Sequence, residues 1–188
     1  VRIEFYAAIK TAEPFLPAGT VIAREQTYVH TFYKKEATAQ QPATSKEEGN
    51  LVAFSGPDFK ATFDKQSGLL TSYLYKKHEY ILNGQGPRPF FLRAPTDNDY
   101  GANLPVRLKA WKEASYQEPK AESFQVTPGS NATTIKVTYR FPQTDARWDI
   151  TYKIYASGVI KVDNRFVAEG DQAPMIPRVG LWMQLPES

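Results

Sequence analysis

Cysteine is missing from this 188-residue chain and histidine occurs only twice. A disulfide framework, a thiolate metal site and a cysteine nucleophile are therefore excluded. His30 and His78 lie far apart in the sequence, so a histidine zinc site lacks ligands. No run of about 18 apolar residues occurs, and no transmembrane helix is expected. Long basic runs are absent too: Lys and Arg are interspersed with acids, the formal net charge is +3 and the pI is near 8.9. Neither nucleic acid nor a membrane is indicated as a partner. The chain opens at Val1 on a strand-like segment without a basic-then-apolar signal region, and it reads as an excised piece of a longer protein. Nothing in the composition chooses between cytoplasm and periplasm.

What is present is globular and mainly β. Hydrophobic residues make up 41% and aromatics 13%, enough to bury a core at this length. Residues 133–141 and 147–155 alternate apolar and polar side chains, the pattern of strands with one buried face. Residues 158–167 follow after a tight turn at Ala156, Ser157 and Gly158, which predicts an antiparallel meander. Turns at short, regular spacing favour two packed sheets over a parallel α/β arrangement. Residues 104–114 break the rhythm. Leu104, Leu108 and Trp111 recur at helical spacing and Pro105 suits a first turn, so a short helix is expected there. Residues 36–50 are polar, lack large apolar side chains and read as a linker at a domain boundary. The Asn131-Ala132-Thr133 triplet matches a glycosylation acceptor but reads as a hairpin loop.

The densest chemistry lies in residues 93–101, Arg-Ala-Pro-Thr-Asp-Asn-Asp-Tyr-Gly, delivered by the apolar Phe90-Phe91-Leu92. Pro95 biases Ala94 toward extended geometry, while Asp97, Asn98 and Asp99 bond readily to their own backbone. Arg93 beside two carboxylates predicts a bidentate ion pair that stiffens the loop. A calcium loop does not fit, because Gly101 stands where a ligand is needed and Ala102 where the glycine should be.

This motif, preceded by an aromatic-rich strand, resembles the signature near the start of the small-chain domain of family 2 β-galactosidases. The resemblance extends upstream through the strand, turn and strand of residues 59–70. Downstream it takes in Trp111, Lys112 and the Pro177-Arg178-Val179-Gly180-Leu181 stretch, so it covers most of residues 50–188. Residues 3–10 and 21–34 are similar to closing strands of the immunoglobulin-like domain that precedes it. The expected organisation is residues 1–45 as the end of an immunoglobulin-like domain with linker, and residues 46–188 as the N-terminal part of the small-chain domain. The expected fold is immunoglobulin-like strands followed by an antiparallel β-sandwich of supersandwich type with one short helix.

The resemblance implies a retaining β-galactosidase acting on terminal β-D-galactosides. Its catalytic glutamates sit on a (β/α)8 barrel outside this chain, and Mg and Na are bound at sites outside it, so no cofactor is expected here. The implied partners are the galactoside, met through the full enzyme, the barrel of the same chain, and further copies in a homo-oligomer. Arg93, Asp97, Asn98, Asp99 and Gly101 become candidates for a loop that walls the substrate site. The chain just after Gly101 would border that site and move with substrate; the alternative is that Ala102 to Leu104 only connects into the helix.

Chemistry agrees with placing catalysis elsewhere. Retaining hydrolysis needs two carboxyls about 5 to 5.5 Å apart, one kept protonated by its surroundings. Asp97 and Asp99 are the best-placed pair, but no apolar pocket is indicated around either. No catalytic residue is assigned, and the chain alone is expected to be inactive. Two other readings compete: a free-standing carbohydrate-binding sandwich using Trp111, Trp148 and Trp182 as stacking platforms, and a pure interaction module working through a sheet edge or face. Alternation along the strands favours the tryptophans as core.

Overall fold

The computed structural model describes residues 2–28, 42–170 and 175–187, in two compact units, Val1–Ala37 and Thr38–Ser188. His30, residues 29–34 of the expected second strand and residues 36–41 of the expected linker lie outside the described residues.

The first unit is an antiparallel ribbon of β1 (Arg2–Ala8) and β2 (Val21–Tyr28), with a bulge at Ala7 and Ala8. Its connection contains a turn in which Glu13 and Leu16 exchange backbone hydrogen bonds at 3.0 Å. Pro14 presets the first corner and Phe15 takes the second at φ 67°, where glycine is usual. The Phe15 side chain is fully exposed.

The second unit holds two facing sheets. In chain order the strands are β3 (Thr44–Glu48), β4 (Leu51–Ser55), β5 (Phe59–Asp64), β6 (Leu70–Tyr75) and β7 (His78–Glu79), which pair sequentially. β8 (Arg88–Phe90) leads into α1 (Asp97–Gly101), α2 (Leu104–Arg107) and α3 (Lys109–Tyr116). β9 (Ser123–Thr127), β10 (Ala132–Phe141), β11 (Ala146–Tyr155) and β12 (Ile160–Ala168) form the second sheet as the expected meander, and β13 (Gly180–Trp182) pairs back onto β8.

Alternation decides which face is buried. On β10 and β11, Ile135, Val137, Ile150, Tyr152 and Ile154 point inward, meeting Val52, Phe54, Ala61 and Phe63 of the first sheet. Phe63 packs edge-on to Tyr152 at 5.0 Å, closing the sandwich. A bulge at Thr62 and Phe63 adds one residue to β6, so Leu70 and Tyr73 pair with Phe63 and Ala61 on the same side despite a spacing of three. Gly68, at φ 76°, turns the chain beneath Tyr139, where a Cβ would lie 2.5 Å from the Tyr139 hydroxyl. Gly86 lets the strap into β8 cross β6, where a Cβ would sit 1.9 Å from the Leu70 carbonyl oxygen.

Two expectations need correction. Residues 44–48, read as linker, form the edge strand β3: its side chains are all exposed, and its register with β4 is held by backbone pairing, which a polar composition does not reveal. The expected single helix is two pieces parted at Leu108, whose φ of −101° and ψ of 17° depart from helical values. Among the described residues, no helix is long and apolar enough to cross a membrane.

Candidate functional site

β8 and α3 are fastened together, and that fastening sets the floor of the site. The buried Arg88 guanidinium donates to the carbonyls of Ser115 at 3.0 Å and Gln117 at 2.5 Å, satisfying the open C-terminal end of α3. Ser115, also buried, accepts the Phe91 N–H at 3.0 Å and donates to the Trp111 carbonyl at 2.8 Å. Phe91 lies 4.7 Å from Trp111 and 5.5 Å from Trp148 by ring centroid, and Phe166 joins the same cluster. Trp111 and Trp148 are core side chains, out of reach of any ligand stacking from solvent.

The loop leaves this anchor through Arg93. Its two terminal nitrogens donate to the two oxygens of Asp99, Nη1 to Oδ2 at 2.5 Å and Nη2 to Oδ1 at 2.8 Å, the bidentate pair expected from the sequence. Thr96 caps α1, and Asp99 at the third helical position accepts the Thr96 N–H at 2.8 Å in a capping box. The Asp99 carboxylate, 8% exposed, thus meets three donors. The Arg93 hydrogen bond first, and then the Thr96 N–H, hold its pKa below the usual carboxylate value, while the pairing raises that of Arg93. A carboxylate held ionised is no general acid.

Around this pair opens a cleft of about 520 Å³. Arg93, Asp99 and Tyr100 form one wall, Leu108, Lys112 and Tyr116 another, and Pro177 and Arg178 close a side. Of the expected site residues, Arg93 and Asp99 come together here. Asp97 and Asn98 are exposed on α1 and do not line the cleft. Gly101 ends α1 without a positive φ and with open space where a Cβ would go, so local geometry does not demand glycine there. Ala102 and Asn103 join α1 to α2, Asn103 at φ 55°.

Lys112, Tyr116 and Arg178 were absent from the sequence-derived site. A signal for the first two exists: Lys112 and Tyr116 lie four residues apart on one face of α3, in line with Leu108 at its N-cap. Arg178 has no local signal, since it is delivered by the pairing of β13 with β8. Among the described residues no group of three or more His, Cys, Asp or Glu converges as a metal site.

The family profile described as beta galactosidase small chain matches residues 55–188. A β-galactosidase of Priestia megaterium is 31% identical over 144 residues, covering 76% of this chain and 14% of that protein. One from Clostridium acetobutylicum is 32% identical over 135 residues, covering 71% of this chain and 15% of its own length. One from Streptococcus thermophilus is 29% identical over 182 residues, 95% of this chain and 17% of the relative. The chain thus spans less than a fifth of the length of these curated relatives.

Proposed function

The chain belongs to the β-galactosidase small-chain family, and from that premise we propose that it is a non-catalytic portion of a retaining β-galactosidase that hydrolyses terminal β-D-galactosides. It packs beside the catalytic barrel, and the loop of residues 93–101 helps shape the active site. The observation that carries this reading is the Arg93–Asp99 pair. It occupies the most buried carboxylate of the loop with three donors and keeps it ionised, which suits a rigid wall and disqualifies it as the protonated acid of a glycosidase. Asp97, the other candidate carboxylate, is exposed on α1 and away from the cleft lining. The substrate would be met only in the assembled enzyme, as would any Mg or Na and any homo-oligomeric contact. The burial of Trp111 and Trp148 weighs against the free-standing carbohydrate-binding alternative, although Trp182, expected to be core as well, is exposed at the end of β13 and stacks on Phe90.

The test is hydrolysis of a chromogenic β-galactoside by this chain, alone and mixed with the purified catalytic remainder of a matching enzyme. Turnover on mixing and none from the chain alone is the expected result; turnover by the chain alone would contradict it.

A further inference from the structure

We propose that the cleft beside α3 is a docking seat for an acidic segment of the catalytic barrel, gripped by Lys112 and Arg178. This rests on the reading that the chain packs against such a barrel. The charges on the cleft walls do not balance. Among the described residues Asp99 is the only acid lining it, and its carboxylate is already neutralised by Arg93. Lys112 and Arg178 line the same space, are exposed, and make no ion pair or hydrogen bond among the described residues. Two cations thus line one cleft with no counter-charge among the described residues. A lysine and an arginine in that position favour carboxylates, the arginine through its planar fork.

The surroundings point to a protein segment. Tyr100 and Tyr116 are largely exposed at the cleft. Phe90 packs edge-on against Tyr116 at 5.7 Å and stacks on Trp182 at 6.4 Å, giving an aromatic ridge along its edge. Aromatic side chains and arginine lining one cleft, with no unpaired carboxylate among its described lining residues, match the composition of a protein interface core. The fastening of α3 to β8 through Arg88 and Ser115 makes this surface rigid before any partner arrives, which lowers the entropic cost of docking. The complementary partner is a segment carrying Asp or Glu flanked by apolar residues.

Titration calorimetry of the 188-residue chain against the separately purified catalytic remainder, at low and high salt, tests the seat. The variants are Lys112→Glu/Arg178→Glu, the neutral Lys112→Gln/Arg178→Gln, and a distant control, Lys136→Glu, at an exposed position of β10. Near-UV circular dichroism establishes that each retains the fold. The reversed pair is expected to bind about tenfold or more weakly at low salt, with the neutral pair in between and the control unchanged. Wild-type affinity is expected to fall with salt and that of the neutral pair to fall less. Unchanged affinity in the reversed pair, or an equal loss in the Lys136 control, overturns the docking seat while leaving barrel association standing. No binding by the wild-type chain overturns the barrel reading, and the seat with it.

Discussion

At Asp99 three donors converge on one carboxylate, and the consequences are local and titratable. Its folded pKa lies below the unfolded value. The order it lends the loop is therefore complete above the ordinary aspartate range, near about 4, and is lost as pH falls through the depressed folded value. The Thr96 amide resonance, followed by NMR, is expected to stay flat from neutral pH down to that range and to move only below it. Asp99→Asn removes the charge, and residues 94–101 should then exchange their amide protons faster at neutral pH. Equal exchange in the variant would contradict the clamp. The pairing itself was legible in the sequence, because an arginine stands four and six residues from two carboxylates across a proline turn. Glu79 was not. It accepts the N–H groups of Tyr73, Tyr80 and Ile81 and the Ser72 hydroxyl, a nest created by the pairing of β6 with β7 and invisible in a Lys-Lys-His-Glu string. Burial opposes ionisation of that carboxyl, and the four donors outweigh it to lower the pKa.

Among the elements, α3 matters most to the site, since it carries one wall of the cleft and its position is set by few bonds. Ser115→Ala leaves the buried Phe91 N–H without its acceptor and should cost roughly 1–3 kcal/mol in urea unfolding; a change within error would show that α3 is held by its apolar face alone. That face was readable from the spacing of Leu104, Leu108 and Trp111, but the break at Leu108 was not. β10 and β11 were legible almost residue by residue, because each buries every second side chain against the opposite sheet. β3 was illegible for the complementary reason: an edge strand with both faces in solvent carries no apolar period.

For the molecule as a whole, the second unit is a sandwich whose core is continuous between its two sheets and incompletely satisfied. The hydroxyls of Tyr139 and Tyr152 are buried with no hydrogen-bond partner among the described residues, and burial pushes both phenols up. Tyr152→Phe removes such a hydroxyl while keeping the ring against Phe63, so it should be neutral or stabilise by up to about 1 kcal/mol in thermal unfolding; a clear loss would reveal a partner for that oxygen. Long-range assembly is also what hid half of the cleft. Arg178 lines the same cleft as Lys112 because β13 returns to β8, and no local pattern announces that return.

The central claim is that this chain walls an active site without supplying its carboxylates. Asp97 is the one carboxylate of the loop left exposed and outside the capping box. The most direct test is therefore the kcat of the chain carrying Asp97→Asn, mixed with the catalytic remainder, on a chromogenic β-galactoside. The account predicts a kcat within about twofold of wild type, since removing a surface charge leaves the chemistry untouched. A fall of about a thousandfold or more, the scale of losing a catalytic carboxylate, would contradict it.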